Sequence, residues 1–142
     1  MKNKILYILV LLIISFSLHL IWENLHVPLY TIYENFSQSF WLCFQSTIGD
    51  VWITFLFAIF WLLVKKDFPN SKEDYFFLAL FGLFIAITIE QRALLEHKWA
   101  YTSMMPIIPY FPSGLSPILQ MTILLPLSFY LANKIIKIKK YV

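Results

Sequence analysis

His19, Glu23 and His26 stand four and three residues apart in "HLIWENLHVPLY", at the end of a long apolar run. At about 100° per residue they fall within an arc of roughly 60°, so all three project from one stripe of a helix. Imidazoles beside a carboxyl group can take, hold and pass on a proton. Further along, the groups able to join such chemistry are Asp50, Glu90, His97 and the amide of Gln120. Glu90 and His97 are seven apart, which on one helix places the acid below and the imidazole above on a shared face. Arg92 points elsewhere, and its spacing from Glu96 predicts an ordinary ion pair near the headgroups.

The surroundings of these groups set their solvent. Of 142 residues, 60% are hydrophobic and 13% charged, with a mean hydropathy of +0.72, against an apolar share of roughly 45–50% in soluble domains. Stretches of about 20 apolar residues cross a hydrocarbon core of roughly 30 Å. Four fit, approximately 5–25, 47–64, 75–95 and 116–133. No alternating pattern of the kind a barrel needs is present, and a helix satisfies its own backbone in lipid. The predicted fold class is therefore all-α: one domain over 1–142, a polytopic four-helix protein of the cell membrane. Lys2 and Lys4 ahead of an apolar stretch, with Ser15-Phe16-Ser17 beyond it, have the layout of a secretory leader. Apolar character continuing through Leu18, Leu20, Ile21 and Trp22 suits a span better. The single Cys43 excludes an intrachain disulfide, and Asn35-Phe36-Ser37 matches a glycosylation tripeptide.

Lysines orient the spans. Lys2, Lys4, Lys65, Lys66, Lys72, Lys134, Lys137, Lys139 and Lys140 all fall on one side, which the positive-inside rule makes cytoplasmic, so both termini are expected inside. The net charge of +3 reflects this bias and suits anionic lipid, not nucleic acid. The opposite connections are aromatic. Val27 to Ser46 has no lysine or arginine and holds Tyr30, Tyr33, Glu34 and Trp41. Within it Ile32, Phe36, Phe40 and Cys43 recur at helical spacing, predicting a short amphipathic helix in the interface. "HKWAYTSMMPIIPYFPSGLSP" carries Pro106, Pro109, Pro112 and Pro117 with Trp99, Tyr101, Tyr110 and Phe111, predicting a fixed aromatic flap.

Depth then brings the chemistry together. His19, Asp50, Glu90 and Gln120 each lie about 20–22 Å of helical rise from their cytoplasmic ends, one on each span. A carboxylate facing lipid there would cost several kcal/mol, so Asp50 and Glu90 are expected to face inward, protonated or paired. Pro28 marks the end of the first helix, and Gly49 reads as a point of close helix approach.

At these residues a resemblance appears. "LHLIWENLHVPLY", with His19 and Glu23 as His-x-x-x-Glu, resembles the first-helix motif of the EXPERA domain, the four-helix fold of emopamil-binding protein and sterol isomerases. "ITIEQRALLEHKW" is similar to the acidic stretch on that family's third helix, and "GLSPILQMTILLP" to its last helix, where an amide precedes a proline. The resemblance implies proton-transfer positions at His19, Glu23 and Glu90 or Glu96, with Gln120 near the amide. The family's tryptophan after that amide is absent, Thr122 or Ile123 standing there, and loop lengths differ. The wider pattern of Trp22-Glu23, Pro28-Leu29-Tyr30, Gly49-Asp50, Trp99-x-Tyr101 and Gly114-Leu115-Ser116-Pro117 looks like that of a small four-helix bacterial membrane family.

Three readings follow for the layer. One is acid–base chemistry on an apolar substrate, with His19, Glu23, Asp50 and Glu90 as catalytic groups and His26, His97, Trp99, Tyr101 and Gln120 as ligand-binding groups. The second is a metal site built from the histidines and acids, but no HExxH or ExxH motif is present, and neither metal nor cofactor is expected. The third is a scaffold or partner-binding subunit, in homo- or hetero-oligomers, whose polar layer is interhelical hydrogen bonding. The expected partner is a membrane lipid or apolar small molecule bound in an outward-opening pocket.

Overall fold

A computed structural model describes residues 2–31, 36–109 and 112–139. Four long helices account for most of them: α1 (Lys2–His26), α2 (Phe36–Lys65), α3 (Lys72–Leu95) and α4 (Leu115–Lys139). Among the described residues there is no strand beyond two isolated bridges. All four helices are long and apolar enough to cross a membrane.

Local chemistry explains most boundaries. α1 stops at His26 and a 3-10 turn, Val27–Leu29, follows, as the ring of Pro28 requires. α3 begins with a capping box. Ser71 Oγ accepts from the Asp74 backbone N–H at 3.1 Å, and Asp74 Oδ2 accepts from the Ser71 N–H at 3.1 Å. It ends in a Schellman turn, with His97 left-handed at φ 53, its N–H on the Leu94 carbonyl and the Lys98 N–H on that of Ala93. That turn corrects the shared face expected for Glu90 and His97, since the helix has ended before His97.

Two further expectations change. No separate interfacial helix precedes the second span, because α2 runs unbroken from Phe36. Neither Pro nor Gly interrupts 36–47, and the buried stripe of Ser39, Cys43 and Thr47 continues into Thr54, Ala58 and Trp61. Ile32, Tyr33, Glu34 and Asn35, like Tyr110, Phe111 and Lys140, lie outside the described residues. Pro117 belongs not to the flap but to the first turn of α4, where its missing N–H costs no hydrogen bond.

In space the helices run in the order α2, α1, α4, α3: α1 packs on α2 and α4, and α4 packs on α3. α2 and α3, neighbours in the chain, have no comparable packing; Phe57 and Phe81, with ring centroids 5.5 Å apart, bridge the gap between them. A Cβ on Gly82 would lie 2.5 Å from the Met121 carbonyl oxygen, so α3 and α4 meet backbone to backbone there. The close approach expected at Gly49 is absent, since a Cβ there meets nothing within 4 Å. Polarity is inverted relative to a soluble bundle. Ser15, His19, Thr47, Thr54 and Ser128 are fully buried while Ile13, Leu63 and Phe84 are exposed, the partition that hydrocarbon outside a bundle favours. Ser15 and Thr54 hydroxyls, 2.9 Å apart, tie α1 to α2.

Lys4, Lys65 and Lys137 gather at one end. Lys4 Nζ donates to the Lys66 carbonyl at 2.7 Å, Lys65 pairs with Asp74, and Lys137 Nζ donates to Asn70 Oδ1 at 3.3 Å. The start of α1, the end of α4 and the α2–α3 connection therefore share that end. At the other end the Thr31 N–H donates to the Ala100 carbonyl at 3.0 Å and the Thr102 N–H to that of Leu29 at 2.9 Å. These bonds join the α1–α2 and α3–α4 connections.

Candidate functional site

Three helices send polar groups to one point. Gln120 Nε2 on α4 lies 2.9 Å from Glu23 Oε1, 2.9 Å from Asp50 Oδ2 and 3.2 Å from His19 Nδ1. His19 Nδ1 is in turn 2.9 Å from Asp50 Oδ2. An amide has two hydrogens, so the two shorter contacts, to Glu23 and Asp50, use both. His19 then donates from Nδ1 to Asp50, leaving its buried Nε2, which has no hydrogen-bond partner among the described residues, as the acceptor nitrogen. Glu23 is held from both sides, because its Oε2 is 3.1 Å from His26 Nε2. His26 uses its other nitrogen too, with Nδ1 3.1 Å from Ser116 Oγ, and its ring packs 5.2 Å from that of Tyr30.

Glu90 stands across from this cluster and is fixed by the α3–α4 connection. Its Oε1 accepts from Trp99 Nε1 at 3.0 Å and from the Tyr101 hydroxyl. That hydroxyl also accepts from the Gly114 N–H at 2.8 Å, so one phenol joins α3 to the approach to α4. Burial, together with the bond to Glu90, pushes the Tyr101 phenol above the usual tyrosine range.

Between the two groups lies a cavity of about 260 Å³. Glu23, His26, Asp50, Glu90, Trp99 and Gln120 supply its polar lining; Ile53, Ala86, Ile89 and Met121 supply apolar walls. Gly49 on α2 and Ile89 on α3 line it and are themselves exposed, which puts its mouth in the gap between those helices.

Of the residues singled out by spacing, Glu23, Asp50, Glu90, His26, Trp99 and Gln120 reach the cavity. His19 sits behind Asp50, and Tyr101 touches the cavity only through Glu90. His97 does not belong: it is exposed on the turn that ends α3. Of the two acids the EXPERA resemblance offered on this helix, Glu90 is inside, while Glu96 pairs outside with Arg92 at 2.7 Å and Lys98 at 2.7 Å. Those two cations hold its carboxyl down to about 2. Spacing had overlooked Ser116, Tyr30, Ser46 and Ile53. Ser46 and Ile53 stand four before and three after Asp50 on α2, a signal that was present; Ser116 and Tyr30 carried none. Among the described residues no group of three or more His, Cys, Asp and Glu side chains is arranged to hold a metal. The chain matches no known family model, no curated protein and no solved structure.

Proposed function

We propose that this chain binds a lipid or isoprenoid-like ligand in the cavity and transfers protons to and from it. One observation carries the reading: three carboxyl groups from three helices line a single apolar-walled space, each held by named donors. Bundle cohesion alone does not require acids turned toward a void, since burying an ionisable group is costly. In the proposed chemistry Glu23 gives its proton to the ligand and is backed by His26; the Asp50–His19 pair takes a proton from a neighbouring carbon, leaving the ligand isomerised. Glu90, fixed by Trp99 and Tyr101, sets the electrostatics opposite. The order of His19, Glu23, an acid on α3 and an amide on α4, in which the chain resembles EXPERA domains, supports the same chemistry. We place the lysine-bearing end and both termini in the cytoplasm of a cell-membrane protein, from the positive-inside rule.

A second reading rests on Gln120, whose amide joins α4 to α1 and α2. In a scaffold or partner-binding subunit that knot is the layer's whole purpose. Replacing Glu23 and Glu90 by glutamine keeps the shape and one acceptor oxygen but removes the titratable proton. Mass spectrometry of lipid co-purified in mild detergent, with thermal melting alongside, separates the readings. Expected are near-wild-type melting and loss of the co-purified lipid or of its conversion. Wild-type lipid and conversion in both variants would reject the ligand site and leave the scaffold.

A further inference from the structure

We infer that the cavity is a head pocket with a lateral mouth: it takes the polar or reactive end of a long-chain amphiphile from the bilayer between α2 and α3, and the chain stays in lipid. This rests on the ligand-binding reading above and adds the ligand's shape and route.

Size argues first. An apolar cavity of about 150 Å³ accommodates a benzene ring, about 25 Å³ for each non-hydrogen atom, so the 260 Å³ present here holds roughly ten such atoms. That suffices for a head or a terminal isoprene unit. It is too small for a membrane lipid, so the remainder must lie outside.

Closure of the other directions argues second. Tyr30 and Trp99 line the outer end, under the backbone bonds that join Leu29–Thr31 to Ala100–Thr102. α1 seals one side through its packing on α2 and α4, and the backbone contact of Gly82 with Met121 seals α3 against α4. Phe57 and Phe81 close the gap toward the lysine end. What stays open is the stretch above that ring pair, where Gly49 leaves free space and Ile89 is 43% exposed. Its rim is Gly49 and Ile89. A rim of this kind meets hydrocarbon, and Asp50, with its side chain 17% exposed, is the first polar group inside it. An amphiphile is the occupant that satisfies both at once, its chain on the rim and its head at the acids.

Gly49→Trp tests the mouth without touching the acids, and Gly49→Leu repeats the test with a smaller plug, since an added Cβ meets nothing there. The protein is reconstituted in phosphatidylcholine vesicles doped with geranylgeraniol. Benzoylphenylalanine replaces Ile89 at the rim or Leu63, exposed at the lysine end of α2, and the ratio of geranylgeraniol to phosphatidylcholine adducts is read after irradiation. Expected is a several-fold enrichment at position 89 over position 63, removed by either plug. Equal ratios at the two positions, or enrichment that survives both plugs, would overturn the inference. Co-purified lipid read on the same plugs separates the failures. Loss with Glu23→Gln but not with either plug sinks the lateral mouth and keeps the ligand site; retention in all variants sinks both.

Discussion

Tyr101 uses one hydroxyl twice, donating to Glu90 and accepting from the Gly114 N–H. Tyr101→Phe therefore strands a backbone donor and takes one of two donors from a buried carboxyl. A loss of about 1–3 kcal/mol is expected, read as a lower melting temperature in detergent and as faster proteolysis of the outer connection. Glu96, exposed and paired with Arg92 and Lys98, gives the contrast: Glu96→Gln is expected to leave melting and co-purified lipid unchanged. At this scale the acids were legible, because Asp50 and Glu90 inside apolar spans have few places to go but inward. His97 was misread for a physical reason, since a left-handed residue after Leu95 cancels the helical bookkeeping that aligned it with Glu90. The Ser116 hydroxyl on His26 Nδ1 had no sequence signal, for two residues 90 positions apart meet only once the bundle has formed.

Along the elements, the close helix approach that the sequence suggested at Gly49 falls at Gly82 instead. Gly82 lies against the Met121 carbonyl, and Gly49 faces open space. Gly82→Ala is expected to push α3 off α4 and cost roughly 1–3 kcal/mol, whereas Gly49→Ala is expected to be neutral or slightly stabilising through helix propensity. Comparative unfolding in sodium dodecyl sulfate would check both, and a harmless Gly82→Ala would reject the backbone contact. Four spans could be found from length and hydropathy alone, and Pro28 marked the end of α1 correctly. The start of α2 was missed because an amphipathic stretch at an interface and the wet end of a long span share one periodicity. The Ser71–Asp74 box that begins α3 was readable in "SKED" as a polar cap three residues before an acid.

For the whole molecule, the lysine end and the aromatic end are separate surfaces joined by the four helices. With Cys43 replaced by serine, a cysteine at exposed Glu73 is expected to react only with reagent on the cytoplasmic side, and one at exposed Ser103 only from outside. The opposite pattern would invert the protein and turn the cavity toward the cytoplasmic leaflet. That the bundle closes in the order α2, α1, α4, α3 was not legible, since hydropathy counts spans without ranking their neighbours. This order also has a consequence in time. α1 and α2 form a hairpin as soon as both have left the ribosome, but α3 then has no large packing surface to join, because its partner α4 is made last. Until then Gly82 and Glu90, the inward face of α3, stand without the surfaces that cover them. The acids therefore come together late, when α4 brings Gln120 between α1 and α2 and the outer connection settles on Glu90. The site thus assembles only once α4 is in place, and a chain truncated before α4 is expected to leave α3 without its packing surface.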